Sequence, residues 1–135
     1  MAIIAIEEHF TSPAVFAHLG NTKASVIMTK LRDMTGVRIK EMDEAGIDYA
    51  LLSENNPAAQ NLEPDVSVTV AKASNDFLHE AIQANPKRFG GFATMSTPAP
   101  KAAQASARPA PPPRPRRHPR RRASSHSPAP GSGRP

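Results

Sequence analysis

The residues with the clearest chemical potential lie in the stretch AIEEHF, at positions 5–10. It places Glu7, Glu8 and His9 directly after the apolar run AIIAI (2–6), which predicts a strand buried on both faces. Because residues i and i+2 of a strand point to the same face, we expect Glu7 and His9 to project together and Glu8 to project away. A carboxylate oxygen beside an imidazole nitrogen suits a divalent metal such as zinc or manganese. The pattern is equally typical of a strand end that emerges into water.

The elements that would position this pair alternate between strands and helices. Apolar residues recur at helical spacing over 37–45, just before Gly46, which is typical of a helix C-terminus. A second apolar stripe, at 66–82, predicts another helix. The apolar runs at 47–53 and 89–95 predict the second and third strands. The resulting order, βαβαβ, indicates an α/β fold with a parallel sheet and right-handed crossovers.

A doubly wound sheet and a (β/α)8 barrel both begin with this order. A nucleotide-binding sheet would carry a G-x-G-x-x-G turn after the first strand, where this chain has acids and a histidine. In a parallel barrel, catalytic groups lie at the carboxyl ends of the strands, which is where Glu7 and His9 fall. The segment 10–34 shows no clear periodicity and is predicted to be a long loop that contains one helical turn.

Three segments together resemble a known family. They are AIEEHFTSP (5–13), RIKEMDEAGIDYALLS (38–53) and ASNDFLHEAIQANPKRFGGFATMSTPAP (73–100). In order and spacing they are similar to the amidohydrolase-related, metal-dependent decarboxylases, which include dihydroxybenzoate (γ-resorcylate type) and aminocarboxymuconate-semialdehyde decarboxylases. The resemblance implies a TIM-like (β/α)8 barrel, of which residues 1–100 form the N-terminal βαβαβ portion.

The same resemblance implies a site and an activity. Glu7 and His9 would be metal ligands, with zinc favoured and manganese as the alternative, and later strands would supply further histidines and an aspartate. The loop with Ser53, Asn55 and Asn56 would line the substrate pocket. The metal would hold the carboxylate and a neighbouring oxygen of a small aromatic or unsaturated carboxylic acid. The aspartate would participate in protonating the ring carbon as carbon dioxide leaves, which makes the family carboxy-lyases or related hydrolases.

The chain departs from that family in its length. A complete barrel needs about 250 residues, whereas 135 residues supply three predicted strands. The remaining histidines do not replace the later ligands, because His18 lies in the predicted loop, His79 on the surface of a helix, and His118 and His126 in the tail. We therefore expect a truncated, inactive fragment with an uncovered sheet edge that favours aggregation.

The charge of the chain divides at about residue 100. Residues 1–100 hold twelve acidic and eight basic residues, whereas 101–135 hold nine basic residues and no acid. This proline- and arginine-rich tail is predicted to be disordered. RPRRHPRRR (114–122) fits a basic arm that binds nucleic acid, and PPPRPRR (111–117) fits a peptide ligand of a groove. The favoured interpretation is an out-of-frame reading of a GC-rich gene, which yields mainly these residue types.

Composition narrows the remaining classes. The absence of cysteine excludes disulfides and thiolate metal sites. No apolar run approaches the roughly 18–20 residues of a membrane span, and the N-terminus lacks a signal peptide, so a cytoplasmic protein is predicted. Two other functions stay open: a small binding protein whose tail alone contacts nucleic acid, and an α/β module that adds its strands to a partner chain. The pattern is also compatible with a homo-oligomer.

Overall fold

The computed structural model of the chain describes residues 2–19 and 25–106. Three strands, β1 (Ile4–Phe10), β2 (Tyr49–Glu54) and β3 (Phe89–Phe92), form one parallel sheet in the order β1-β2-β3. The predicted parallel α/β sheet is therefore confirmed, with each strand in the expected part of the chain.

Five helices accompany the sheet over the described ranges. They are α1 (Pro13–Phe16), α2 (Val26–Arg32), α3 (Gly36–Glu44), α4 (Pro64–Ala84) and α5 (Pro100–Ser106). The helices α3 and α4 confirm the two apolar stripes of the sequence. Gly46 adopts a φ of +70° just after α3, which is the left-handed conformation that glycine accepts without a steric penalty.

The prediction of a long loop with one helical turn over 10–34 is only partly correct: the four-residue α1 is such a turn, but the seven-residue α2 was not expected. Each helix begins at a serine whose side chain accepts a backbone N–H of the first turn: Ser12 from Val15, and Ser25 from Met28. Pro13 follows the first cap at the position that proline prefers. These short helices are marked by their capping residues. They are too short to show the apolar periodicity from which longer helices are predicted.

The tail was predicted to be disordered from residue 101, but α5 extends to Ser106. Pro100 opens this helix, and the following KAAQA run consists of strong helix formers, which explains the difference. Residues 107–135, on which the nucleic-acid, peptide-ligand and out-of-frame interpretations depend, lie outside the described part of the chain.

The core lies on the face of the sheet that α3 and α4 cover. Phe10, Leu52 and Phe89, one residue from each strand, are at most 1% exposed and pack with further apolar residues: Met34, Met42, Ala50, Leu78 and Ala81. The opposite face is open, since Ile4 is 58% and Phe92 59% exposed. None of the helices in 2–19 or 25–106 is long and apolar enough to cross a membrane.

The two glycines of β3 reflect close packing. A Cβ atom on Gly91 would lie 2.8 Å from a methyl carbon of Leu78 on α4 and 3.0 Å from the carbonyl oxygen of Leu52. On Gly90 it would lie 2.6 Å from the Tyr49 hydroxyl. Helix α4 and strand β2 therefore approach β3 more closely than a side chain at either position would allow.

Candidate metal centre

Strand β1 is irregular at Glu7. Ala5 pairs with Ala50, but the next pairs are Glu8 with Leu52 and His9 with Ser53. Between these pairs β1 advances by three residues while β2 advances by two, so β1 contains one extra residue. Glu7 itself has a φ of +61°, the left-handed conformation that non-glycine residues rarely adopt. Such bulges re-aim side chains and are frequent next to active sites.

This bulge removes the basis of the predicted geometry. The i, i+2 rule holds only in a regular strand, so it does not establish that Glu7 and His9 share a face. Beyond the bulge the register is regular again. Glu8 pairs with the fully buried Leu52 and its carboxylate lies 3.7 Å from Nη1 of Arg38 on α3, so Glu8 faces the helices.

His9 is exposed and is held from two sides. Its ring Nδ1 lies 3.1 Å from the hydroxyl oxygen of Ser53 on β2. Its backbone carbonyl accepts a hydrogen bond of 2.7 Å from Nη2 of Arg38. When Nδ1 carries the ring proton, it donates to Ser53 and leaves the Nε2 lone pair available to a metal, the arrangement common among metal-binding histidines.

The carboxylate of Glu7 is exposed and makes no hydrogen bond or ion pair with the part of the chain that the structure describes. With His9 it offers one oxygen and one nitrogen donor, which suit a divalent ion in type. They do not suffice in number, because residues 2–19 and 25–106 contain no group of three or more side chains that could hold a metal. His79, exposed on α4, adds nothing to the pair.

The predicted substrate residues lie at the carboxyl end of β2. Ser53 lines a cavity of about 270 Å³ with residues of the following segments: Glu54, Gln60, Phe92, Ala93, Thr94, Met95 and Thr97. Asn55 and Asn56 do not line it. The backbone N–H of Asn55 donates to the Phe10 carbonyl at 2.7 Å, and Asn56 is exposed before a cis bond to Pro57.

Glu54, which follows Ser53, was not among the residues predicted for the site. Its carboxylate accepts the backbone N–H of Ser12, at 3.1 and 3.2 Å to the two oxygens, and the hydroxyl hydrogen of Ser74 on α4. Burial raises the pKa of Glu54, although these hydrogen bonds act in the opposite direction. Glu54 thus joins the end of β2 to the segment after β1 and to α4. An acid at the end of a buried strand was the available signal.

Sequence analysis also missed how the segment after β3 is fixed. The side chain of Asn75 on α4 donates to the Thr94 carbonyl at 2.9 Å and accepts the Thr94 N–H at 2.8 Å. This pair of hydrogen bonds holds Thr94, which lines the cavity, against the helix layer. Asn75 lies in the segment 73–100, which resembles the decarboxylase family. The sequence does not show what its side chain does, whereas these two hydrogen bonds do.

Comparison with known proteins shows that the chain is similar to part of several decarboxylases. No family model matches the chain. It is 36% identical over 105 residues to the gamma-resorcylate decarboxylase of Rhodococcus jostii strain RHA1, which covers 74% of this chain and 32% of that protein. It is 32% identical over 105 residues to the enzyme of the same name from Polaromonas sp. strain JS666, with the same two coverages. The chain therefore spans about a third of the length of these curated relatives.

Solved structures agree with the sequence comparison. The dihydroxybenzoic acid decarboxylase of Polaromonas sp. JS666, with bound manganese and the inhibitor 2-nitroresorcinol, matches 78% of this chain and 33% of its own at a TM-score of 0.69 and 31% identity. The 5-carboxyvanillate decarboxylase of Sphingomonas paucimobilis matches 78% of this chain and 38% of its own chain, with a TM-score of 0.65 and 31% sequence identity. The three-stranded sheet thus corresponds to part of an amidohydrolase-type barrel.

The comparisons agree with the expectation of a divalent metal in this family. The metal named in the Polaromonas structure and in a 5-carboxyvanillate decarboxylase of Novosphingobium aromaticivorans is manganese, so the preference for zinc is not supported. The predicted resemblance itself is confirmed. The chain is a relative of the gamma-resorcylate and dihydroxybenzoate decarboxylases of the amidohydrolase-related family, and it matches about a third of their length.

Proposed function

We propose that this chain contributes to the metal centre of a metal-dependent, non-oxidative decarboxylase that acts on a small aromatic carboxylic acid. Glu7 and His9 are two of the protein ligands in this proposal. The observation that carries it is the contact between His9 Nδ1 and Ser53 Oγ at the carboxyl edge of a parallel sheet, in a relative of such decarboxylases. The described residues hold no third ligand, so we propose that they do not catalyse the reaction by themselves.

Each residue has a separate task in this proposal. When bound, the metal supplies an electrophilic contact for the substrate's carboxylate and neighbouring oxygen. Ser53 keeps the proton of His9 on Nδ1 and so orients Nε2 toward the metal. Glu7 supplies a negative charge that is not already neutralised by a neighbour in the described chain. Ser53 also lines the cavity, whereas Asn55 and Asn56 are not among its lining residues and have no task in this proposal.

Manganese is the ion that we propose for the site. Two related structures contain it, and a carboxylate oxygen is a hard donor that suits manganese, while an imidazole nitrogen accepts a wider range of divalent ions. The carboxylate oxygen of Glu7 and the imidazole nitrogen of His9 are therefore compatible with manganese.

Binding of Mn²⁺ to the full 135-residue chain tests the proposal. The loss of the free-ion signal in electron paramagnetic resonance measures the bound fraction. We expect weak binding that is lost in His9→Ala and kept in His79→Ala, the matched control on the exposed face of α4. Equal affinity of wild type and His9→Ala, or no binding by wild type, would overturn the assignment of this pair as ligands.

A further inference from the structure

Arg38, on helix α3, contacts the strand that carries the candidate ligands. Only 11% of its side chain is exposed. Its Nη2 donates to the carbonyl of His9 at 2.7 Å, and its Nη1 lies 3.7 Å from the carboxylate of Glu8. Both contacts are made to the two residues that follow Glu7, the residue with the left-handed backbone. One guanidinium thus contacts β1 immediately after the bulge.

The other side of the same guanidinium is fixed to the start of α3. Nε of Arg38 donates to the carbonyl of Asp33 at 3.1 Å. The carboxylate of Asp33 in turn accepts the N–H groups of Thr35 at 2.9 Å and Val37 at 3.2 Å. Arg38 is therefore a bridge between a capped helix start and β1, with its donors directed to both sides.

The carbonyl that Arg38 contacts has a particular position in the sheet. The Phe10 carbonyl accepts the N–H of Asn55, which follows β2, so the neighbouring His9 carbonyl points to the opposite side, along the outer edge of β1. No described strand lies on that edge. Arg38 supplies the hydrogen bond that a further strand would otherwise supply, and a charged donor makes this a strong one.

The bulge itself needs such support. A non-glycine residue in the left-handed conformation costs about 1–2 kcal/mol and persists only where the surroundings determine it. On one side Ala5 is paired with Ala50, and on the other Phe10 is 1% exposed in the core. The segment between these anchors contains one extra residue, and Arg38 holds two of its members.

We propose that Arg38 is a positioning residue for the metal centre, because it maintains the bulged conformation that presents Glu7 and His9. The bulge is a matter of the backbone alone, whereas the consequence for a metal rests on the proposed function. Glu8 acts with Arg38 as the second contact point. In this assignment Glu8 and Arg38 meet on the helix side of the strand and fix the backbone of β1 next to Glu7 and His9.

Two measurements on the full chain test the backbone conformation and the metal binding separately. The Cα and Cβ chemical shifts of Glu7 report whether its backbone is left-handed or extended, and the Mn²⁺ titration reports affinity per folded molecule. Arg38→Met is the main variant. Lys40→Met is the matched control, because Lys40 lies on the same helix, is 76% exposed and forms its ion pair with Glu44, at 3.8 Å, rather than with β1.

We expect Arg38→Met to move the Glu7 shifts toward extended values and to lower the Mn²⁺ affinity about tenfold, the lower end of what loss of a supporting contact costs. Arg38→Lys should restore part of the affinity, since an ammonium can reach one of the two partners. Lys40→Met should change neither quantity. If Arg38→Met does not fold, Glu8→Gln, which removes the negative charge of one contact and keeps the shape, should give a smaller change in the same direction.

Unchanged Glu7 shifts in a folded Arg38→Met variant would overturn the inference. So would an equal loss of affinity in Arg38→Met and Lys40→Met. A wild-type chain that binds no Mn²⁺ would instead overturn the proposed function. The Glu7 shifts would then still decide whether Arg38 maintains the bulge.

Discussion

Strands β1 and β2 lie side by side, but they are built differently. In β2, Ala50 and Leu52 are at most 1% exposed and the pairing is regular on the side of β3. In β1, Ile4 and Ile6 are 58% and 67% exposed, and the strand carries an extra residue before His9. The regular strand forms the core, while the irregular one presents the candidate ligands and depends on neighbours such as Arg38 for its shape.

The largest loss in the free energy of unfolding should follow from removing a core side chain of β2, the regular strand. Leu52→Ala should lower the free energy of unfolding by about 2–5 kcal/mol, because it leaves a cavity among well-packed neighbours. Ile4→Ala on the open face of β1 should lower it by less than about 1 kcal/mol. Urea denaturation followed by circular dichroism compares the two. Similar losses would mean that the open face is buried in solution.

A smaller loss should follow from removing the carboxylate that connects the strands. Glu54→Ala leaves the N–H of Ser12 and the hydroxyl of Ser74 without this partner, and should cost about 1–3 kcal/mol. Hydrogen exchange of the Ser12 amide should accelerate by more than the global change requires. Unchanged protection of this amide would show that the segment after β1 is held without Glu54.

In β1, a substitution at the bulge should act in the opposite direction. Glu7→Gly removes the side chain that disfavours the left-handed backbone and should raise the free energy of unfolding by up to about 1 kcal/mol. The same variant should lose the proposed Mn²⁺ binding. Urea denaturation and the Mn²⁺ titration measure the two effects. A Glu7→Gly chain that is less stable than wild type would contradict the left-handed conformation.

The smallest expected effect is a dependence on pH. The pKa of Glu54 is raised above the usual 4.5, so the folded chain binds this proton more tightly than the unfolded chain. The contribution of this protonated carboxyl group to the free energy of unfolding is complete below pH 4.5. It is lost as the pH rises through the pKa of Glu54 in the folded chain. Glu54→Gln carries no charge to bury and should therefore gain stability relative to wild type as the pH rises. A pH-independent difference in urea midpoints would contradict this.

The sequence was sufficient for features that depend on local periodicity. The stripe of α4 and the stop at Gly46 follow from residue spacing, and both are present. The caps at Ser12 and Ser25 were also visible but were overlooked. The bulge at Glu7 was not accessible, because no glycine marks it and a regular strand fits the same residues. It lies between two fixed points of the strand, the pairing of Ala5 with Ala50 and the buried side chain of Phe10.

The contacts of the site depend on the register between β1 and β2, so they could not be predicted from the sequence either. That Ser53 meets His9, and that Glu54 meets Ser12, follows from how β1 and β2 align, which one strand alone does not determine. The resemblance indicated Ser53 as a substrate residue, whereas its hydroxyl contacts a candidate ligand. The family likeness thus singled out Ser53 and His9, and the structure adds that their side chains are in contact.

The two glycines of β3 restrict how this chain can be recombined with its relatives. A segment exchanged at Phe89–Phe92 must bring small residues to both middle positions, since Leu78 and Tyr49 occupy the space that larger ones would need. Gly91 is the stricter of the two, because a backbone carbonyl cannot move aside as a tyrosine ring can. Chimaeras that keep the Gly90–Gly91 dipeptide should therefore be better tolerated than those that keep only its flanking phenylalanines.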